Sequence, residues 1–498
     1  MKNFPLLIAA TPIHAALLPA ALFLCAVLVA TPVAKAQGTD DRPNIAVVLC
    51  DDLGYGDLEC YGHPIIKTPN LNALADGGIR FTDFYSAAPV CSPSRVGLLT
   101  GRSPNRAGVF DWIPPSQKPR PDAREQVHMR KGEVTIPALL KQAGYATCMA
   151  GKWHCNGKFN HPSQAQPGDF GFDHWLGTQN NASPSHQQPV NFVRNGQPVG
   201  KIDEFSCQYV VTEALHWLQD TADNDQPFFL YLPFHEPHEP VASPPELVQQ
   251  YLPMAKNEDQ AQYFANVANV DAAVGRLVKG LEELGQRDNT LIIFTSDNGP
   301  ETLKRYQRAK RSYGTPGPLR GMKLHTTDAG FRVAGIMNWP AKIAAGQIVS
   351  QPVSSLDFLP TFCMLAGNEP PQDISLDGTD FRPALGGNQI NRMKPLVWCY
   401  YNATNESRVA MRSGNYKVLA KLNGGQLPQM QNITQKTYPA VRDAELTDIE
   451  IYDVTTDIGE SDNLAGQDET LTRTMSQQIR SEYKALVEDS HVWPVARQ

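Results

Sequence analysis

Residues 43–52 read Pro-Asn-Ile-Ala-Val-Val-Leu-Cys-Asp-Asp, an unbroken apolar run that ends in two acidic residues. A strand that is apolar at every position is typical of a parallel sheet with both faces covered by helices. Two further runs, at 228–232 and 291–294, have the same character. The chain is therefore predicted to be built on a largely parallel sheet.

Helical patterns separate these runs, at residues 136–143, 205–218 and 262–284. Alternating strands and helices predict an α/β fold, with a large, mixed but mostly parallel sheet between layers of helices. The chain is 498 residues long, which favours two domains. Its net charge of −7 argues against a nucleic-acid-binding protein.

The character of the sequence changes after Leu385. Gly386-Gly387-Asn388 is a connector, and a hairpin pattern follows at residues 409–419, with Gly414-Asn415 at its turn. A further strand at 451–454 and an amphipathic helix at 471–487 complete this part. We expect residues 37–385 to form the main domain and residues 386–498 a smaller α+β domain with an antiparallel sheet.

The first 36 residues have the pattern of an export signal. Lys2 gives a basic start, an apolar stretch covers residues 15–30, and Ala34-Lys35-Ala36 is a small-x-small cleavage site. A retained membrane anchor is the alternative, although Pro19 and the small residues weaken a spanning helix. We expect removal of residues 1–36 and a periplasmic or secreted protein.

The run Cys91-Ser92-Pro93-Ser94-Arg95 is followed by Val-Gly-Leu-Leu-Thr-Gly-Arg at 96–102. Pro93 suits the first turn of a helix, so Cys91 is predicted to lie at a helix N-terminus, where negative charge is favoured. Arg95 falls on the same face of that helix. The pattern indicates a nucleophile beside a fixed cation, suited to an anionic substrate. The alternative is a buried structural cysteine near an exposed arginine.

Acidic and amide side chains follow two of the predicted strands. Asp51 and Asp52 end the first, and Asp297 and Asn298 come soon after the run at 291–294. Ligands bind at the carboxyl ends of strands in open α/β sheets, and adjacent carboxylates repel unless a cation lies between them. Three carboxylates and an amide oxygen suit Ca²⁺ or Mg²⁺. The alternative is that these residues form turns or helix caps.

Basic and histidine-containing segments follow other predicted strands. Gly151-Lys152-Trp153-His154 follows a strand at 145–150, and a surface lysine with a loop histidine is the alternative interpretation. The segment at 235–240, His-Glu-Pro-His-Glu-Pro, comes after the run at 228–232. Lys323 ends the segment Leu-Arg-Gly-Met-Lys at 319–323.

These segments resemble the motifs of the formylglycine-dependent sulfatases and occur in the same order along the chain. That family is a branch of the alkaline phosphatase superfamily, and it includes arylsulfatases and N-acetylgalactosamine-6-sulfatases. The resemblance rests on Cys-x-Pro-x-Arg with Thr-Gly-Arg, on Gly-Lys-Trp-His, on Pro-His-x-Pro at 237–240 and on the Lys323 segment. It extends from about residue 43 to residue 340. Asp328-Ala329-Gly330 departs from the family's Glu-Gly-Gly.

The resemblance implies a sulfuric ester hydrolase. Cys91 would be oxidised to formylglycine (3-oxoalanine) by a formylglycine-generating or an anaerobic sulfatase-maturating enzyme, and the aldehyde hydrate would attack the sulfur. Lys152 and Lys323 would contact the sulfate, His154 the hydrate, and His238 would protonate the leaving oxygen. Arg95 would add positive charge. A divalent ion, usually Ca²⁺ with Mg²⁺ as the alternative, would be held by the set Asp51, Asp52, Cys91, Asp297 and Asn298.

Export and the long, weakly patterned interval at 156–200 favour a sulfated polysaccharide, oligosaccharide or glycosaminoglycan as substrate. His235 is either a second residue of the binding pocket or a structural histidine that forms hydrogen bonds, and the sequence favours neither interpretation. Two other functions stay open, a phosphatase or phosphonate monoester hydrolase of the same superfamily and a non-catalytic secreted glycan-binding protein. The candidate sugar contacts are Trp112, His186, His235, Arg305 and His325.

Overall fold

A computed structural model describes the protein over residues 41–116, 124–221 and 226–495. The predicted export signal at 1–36 lies outside the described residues. Within them, every helix is too short or too polar to cross a membrane. The eight cysteines of this part of the chain are all free thiols.

The strands are numbered in chain order. They are β1 Asn44–Asp51, β2 Ile79–Tyr85, β3 Ala146–Lys152, β4 His174–Thr178, β5 Val193–Arg194, β6 Gln197–Pro198, β7 Phe228–Pro237, β8 Thr290–Ser296, β9 Arg332–Asn338, β10 Gln347–Val349, β11 Val353–Ser354, β12 Leu396–Cys399, β13 Val409–Ser413, β14 Tyr416–Leu422 and β15 Leu446–Asp453.

The α-helices are numbered in the same way. They are α1 Pro69–Asp76, α2 Cys91–Thr100, α3 Pro104–Ala107, α4 Ile136–Gln142, α5 Ser206–Thr221, α6 Pro245–Tyr251, α7 Glu258–Glu283, α8 Phe358–Leu365, α9 Arg382–Leu385, α10 Tyr438–Arg442 and α11 Glu469–Glu488.

The large sheet has the order β10-β2-β9-β8-β1-β7-β3-β4-β5-β6, and β11 also pairs with β2. The centre is parallel, because β1 runs parallel to both β7 and β8, and β3 parallel to β7 and β4. β9 is antiparallel to β8 and to β2. The predicted mixed, mostly parallel sheet is confirmed, and its parallel centre brings the ends of β1, β3, β7 and β8 to one edge.

Both faces of this sheet are covered by helices, as the continuous apolar pattern of β1 predicts. Val47 belongs to an apolar cluster shared with α2, α4 and α8. Its neighbour Val48 points the other way, into a cluster shared with α5 and α7. Alternate residues of a strand face opposite sides, so both faces of β1 need apolar residues.

The second sheet is antiparallel, in the order β12-β13-β14-β15. The β13–β14 hairpin turns at Gly414, whose φ of +54° is a conformation that glycine adopts without strain. Phe331 stacks on Trp398 with ring centroids 4.1 Å apart, which joins this sheet to the loop before β9. The predicted antiparallel sheet is confirmed, and the domain boundary at residue 385 stays a prediction.

The interval at 156–200 is more regular than its sequence indicates. β4, β5 and β6 lie within it and extend the large sheet at one edge. Strands of two to five residues are too short to produce a recognisable alternation of polar and apolar residues. The sequence pattern therefore does not reveal this part of the sheet.

Candidate active site

The N-terminus of α2 meets the carboxyl ends of β1 and β8. Cys91 is the first residue of α2, Asp51 is the last of β1, and Asp297 directly follows β8. The Cys91 Sγ lies 3.3 Å from Asp51 Oδ1 and 3.9 Å from Asp52 Oδ1. The segments that the sequence predicted to converge therefore form one buried cluster.

Arg95 lies one turn into α2 and is completely buried. Its Nε and Nη2 both donate to Asp297 Oδ2, at 2.9 and 2.7 Å, and its Nη1 donates to the backbone oxygen of Lys152 at 3.0 Å. A planar guanidinium held by three hydrogen bonds has little freedom to move. Arg95 thus fixes the ends of α2, β3 and β8 relative to one another.

Two lysines complete the cluster. Lys152, at the end of β3, donates to Asp51 Oδ2 at 2.5 Å. The Nζ of Lys323 lies 2.6 and 2.8 Å from the two oxygens of Asp52 and 3.4 Å from Cys91 Sγ. Before Lys152, a Cβ added to Gly151 would lie 1.9 Å from the Pro233 oxygen, so only glycine lets β3 approach β7 this closely.

Neighbouring cations and burial together set the charge of the three carboxylates, and burial is the larger effect at two of them. It raises the pKa of Asp52 to about 6, and it raises the pKa of Asp297 to about 6 as well. Burial also acts on Asp51, but nearby Lys152 and His238 outweigh it and hold the pKa of Asp51 well below its usual range. Additional positive charge at this point would favour full ionisation of all three groups.

These residues fit a hard divalent cation. Carboxylate oxygens of Asp51, Asp52 and Asp297 and the Cys91 sulfur all lie within 4.8 Å of one another. The Asn298 Nδ2 donates to Asp52 Oδ1 at 2.7 Å, while its buried Oδ1 has no hydrogen-bond partner among the described residues. Oxygen donors in this number suit Ca²⁺ or Mg²⁺.

Two histidines face the cluster. The Nε2 of His154 donates to the Ile113 oxygen at 3.0 Å, and its Nδ1 has no partner in the described part of the chain. The Nδ1 of His238 donates to the Glu239 oxygen at 2.6 Å, and its Nε2 lies 3.5 Å from Asp52 Oδ2. Burial lowers the pKa of His238 to about 4 and that of His154 well below its usual range.

A cavity of about 430 Å³ opens above Cys91, and Lys323, His154 and His238 line it. Its volume is in the range of ordinary small-molecule sites. Aromatic, amide and charged side chains form the remaining walls, among them Trp112, Asn180, Asn181, Glu301, Arg305, Tyr306, Arg308, Tyr400, Asn402 and Gln431.

The predicted sugar contacts fall into two groups. Trp112 and Arg305 line the cavity. His186, His235 and His325 are not among its lining residues; His235 is buried against Thr178, with Nε2 2.8 Å from Oγ1, and His186 accepts from Asn266 Nδ2 at 3.1 Å. His186 and His235 thus hold buried hydrogen bonds outside the cavity lining, and a part for either of them, or for His325, in sugar binding stays a prediction.

Comparison with known proteins identifies the family. The Sulfatase family profile matches residues 43–368, and the profile of the N-sulphoglucosamine sulphohydrolase C-terminal region matches residues 323–488. The chain belongs to the sulfatase family. The predicted hydrolysis of sulfate esters is thereby confirmed as the activity of this sulfatase.

Individual relatives of the sulfatase agree with this. Human arylsulfatase A is 35% identical over 459 residues, covering 85% of this chain and 83% of that protein. N-acetylgalactosamine-6-sulfatase of Rattus norvegicus is 34% identical over 398 residues, covering 77% and 72%. The crystal structure of Ps i-CgsB in complex with k-i-k-neocarrahexaose has a TM-score of 0.74 at 28% identity, covering 91% of this chain and 95% of that one.

The sequence did not predict one wall of the sulfatase's cavity. Asp111 is buried there and accepts from the Tyr400 hydroxyl at 2.9 Å and from Asn402 Nδ2 at 3.0 Å. Burial raises the pKa of Asp111 to about 6. These residues lie in loops with no local pattern. Glu301 was also not predicted, but the sequence held a signal for it, because it comes only three residues after Asn298.

Proposed function

We propose that this sulfatase removes sulfate from a sulfated carbohydrate, using a formylglycine made from Cys91 and a divalent ion, preferably Ca²⁺. The observation that carries the proposal is the approach of Cys91 to within 3.3 Å of Asp51 and 3.4 Å of Lys323 at the base of the cavity. The walls combine the aromatic rings of Trp112 and Tyr306 with amide and carboxyl groups. Such surfaces bind sugar rings and their hydroxyls.

The nucleophile would arise at Cys91. Burial, and then the Asp51 charge, raises the pKa of the Cys91 thiol well above its usual range, so the unmodified side chain is a protonated thiol. A protonated thiol is a poor nucleophile. Conversion to formylglycine supplies, as the aldehyde hydrate, a hydroxyl that attacks sulfur. The conversion requires a formylglycine-generating or an anaerobic sulfatase-maturating enzyme.

The cations would bind the sulfate group and its developing charge. Lys323 lines the cavity, while Lys152 and Arg95 lie beneath it as fixed positive charges. Charges already held in place do not reorganise during the reaction, which makes their stabilisation of a transition state effective. A divalent ion held by Asp51, Asp52, Asp297 and Asn298 would add Lewis-acid polarisation of a sulfate oxygen.

The two histidines would move protons. An anionic ester beside His238 would raise its pKa from about 4, and the imidazolium would then protonate the leaving alkoxide oxygen as the S–O bond breaks. His154 would act as a base, because its Nε2 donates to Ile113 and its Nδ1 is left as a free acceptor among the described residues. Its Nδ1 would take a proton from the second hydroxyl of the aldehyde hydrate, and the loss of this proton would allow sulfate to be released.

The location of the enzyme completes the proposal. The pattern at residues 1–36 supports export to the periplasm or outside the cell. An exported enzyme with this cavity would meet sulfated sugars outside the cytoplasm.

The test compares Cys91→Ala with Cys60→Ala, a half-buried cysteine outside the site. We expect Cys91→Ala to lower kcat on 4-nitrophenyl sulfate and on monosulfated sugars by at least about a thousandfold, as loss of a nucleophile does. Cys60→Ala should retain activity. Full activity of Cys91→Ala, or faster turnover of a matched phosphate ester by the wild type, would refute the proposal.

Metal binding is tested by unfolding as well as by activity. A chelator should abolish turnover, and Ca²⁺ at about 100 times its Kd should raise the free energy of unfolding by about 2.7 kcal/mol. Asp51→Asn should remove most of that stabilisation. Asp259→Asn, a half-exposed acid outside the cluster, is the control and should not.

A further inference from the structure

A strongly basic loop borders the cavity. Residues 304–311 read Lys-Arg-Tyr-Gln-Arg-Ala-Lys-Arg, so five of eight side chains are cationic and none is acidic, in a chain with a net charge of −7. We name this segment the basic loop. Its residues Arg305, Tyr306 and Arg308 line the same cavity as Cys91.

The basic loop has a defined conformation. The Lys304 amide donates to the Ala309 oxygen at 2.7 Å, the Ala309 amide donates to Tyr306, and Ala309 is fully buried. Arg305 is held by both oxygens of Glu301, with each N–O distance 2.7 Å. Arg311 donates to Asp259 and to the Val241 oxygen. Two of the five cations thus anchor the loop to the body of the protein.

The other three cations are Lys304, Arg308 and Lys310. All three are exposed. Within the described part of the chain, the ion pairs of the basic loop belong to Arg305 and Arg311, and no carboxylate pairs with the other three side chains. Like charges on neighbouring residues repel, and a bound anion relieves that repulsion. Of these three cations, Arg308 lines the cavity, so the loop presents unneutralised positive charge there.

We propose that the basic loop is a subsite for a second anionic group, a sulfate or carboxylate carried by the same saccharide as the ester being cleaved. The inference rests on the proposed function. Because Arg308 and Cys91 line one cavity, a single ligand can reach both. Guanidinium and ammonium groups bind sulfate and carboxylate oxygens through charge-assisted hydrogen bonds. The enzyme accordingly prefers multiply charged saccharides to singly sulfated ones.

The test uses the triple variant Lys304→Gln, Arg308→Gln, Lys310→Gln. Sucrose octasulfate and glucose 6-sulfate serve as competing inhibitors of 4-nitrophenyl sulfate hydrolysis at low ionic strength, where surface charges are least screened. We expect the Ki of sucrose octasulfate to rise about tenfold or more, and the Ki of glucose 6-sulfate to change less than about threefold, given the usual strength of exposed ion pairs. Added salt should weaken octasulfate binding more steeply in the wild type.

The matched control removes the same charge elsewhere, with Lys342→Gln, Lys436→Gln and Arg473→Gln, which are exposed and outside the cavity lining. It should leave both Ki values near wild type. An equal rise of the octasulfate Ki in both triple variants, no rise in either, or no inhibition of the wild type would overturn the subsite. The proposed function fails separately, if the wild type hydrolyses 4-nitrophenyl sulfate but no sulfated sugar.

Discussion

Single side chains in this site take their properties from burial. Asp51, Asp52 and Asp297 are nearly or fully inaccessible, and so are Arg95 and Lys152, which face them. Charges removed from water are costly unless they are paired, so each carboxylate depends on a specific cation. We therefore expect these ion pairs to contribute both to the free energy of unfolding and to the sulfatase activity.

Arg95→Met tests this dependence. Methionine fills much of the volume but removes the two hydrogen bonds that Arg95 donates to Asp297, so the free energy of unfolding should fall by about 3 to 5 kcal/mol. Urea unfolding at constant Ca²⁺ measures it. Arg442→Met, which breaks an exposed pair with Asp443, should cost no more than about 1 kcal/mol. Equal costs for the two variants would contradict the argument.

The sequence revealed the residues of the cluster because each ends or follows a strand, or begins a helix, within a short motif. Asp51, Asp297, Lys152 and Cys91 are of this kind. Asp111 and the residues around Tyr400 were not predictable in the same way. Asp111 and Tyr400 are hydrogen-bonded although they lie 289 residues apart in the sequence. No local periodicity connects two loops at such a distance.

Among the elements, the fully apolar central strands were the easiest to predict. The patterns at 44–49, 228–232 and 291–294 became the cores of β1, β7 and β8. β9 was missed, because Arg332 and Asn338 at its ends and Gly335 within it break up the apolar run that marks the other central strands. The edge strands β4 to β6 depend on tertiary contacts for their order.

A buried carboxylate of α5 joins this helix to the edge strands β4 and β5. Glu213 of α5 accepts from His174 of β4 at 2.8 Å and from Arg194 of β5. Burial raises the pKa of Glu213, but the hydrogen bonds from Arg194 and His174 outweigh it and lower this pKa to about 2. The folded pKa is below the unfolded value, so the carboxylate stabilises the fold above about pH 4.3, and the benefit is lost as the pH falls toward 2.

Glu213→Gln should therefore lower the free energy of unfolding by about 1.5 to 3 kcal/mol at pH 7, the usual worth of hydrogen bonds to a charged group. The difference from wild type should shrink steadily below about pH 4.3. Urea unfolding from pH 7 to pH 3 measures both. A difference that is the same at every pH would show that the pair does not act through its charge.

At the scale of the whole molecule, the antiparallel sheet is tied to the large one through buried contacts. Trp398 of β12 stacks on Phe331 and donates from Nε1 to the Ser86 oxygen at 2.9 Å. Lys417 of β14 is buried and pairs with Asp328 at 2.7 Å. The loop after β12 also supplies Tyr400 to the cavity wall. We propose that residues 386–498 stabilise the site directly, whether or not they fold as a separate domain.

Trp398→Ala should cost about 3 to 5 kcal/mol in the free energy of unfolding, as expected for a large aromatic side chain lost from a core. Trp398→Phe keeps a stacking partner for Phe331 and loses the hydrogen bond to Ser86, so it should cost less. Urea unfolding of both variants gives the comparison. A cost below about 1.5 kcal/mol for the alanine variant would mean that the contact contributes little.

The source of the nucleophile is measured by mass spectrometry of the tryptic peptide 81–95, which carries Cys91, in preparations matured to different extents. The sulfatase activity of each preparation on 4-nitrophenyl sulfate is measured alongside. We expect activity to rise in proportion to the fraction of peptide that bears an aldehyde, and to vanish when Cys91 is wholly a thiol. Undiminished turnover by material in which every Cys91 is an unmodified thiol would contradict it.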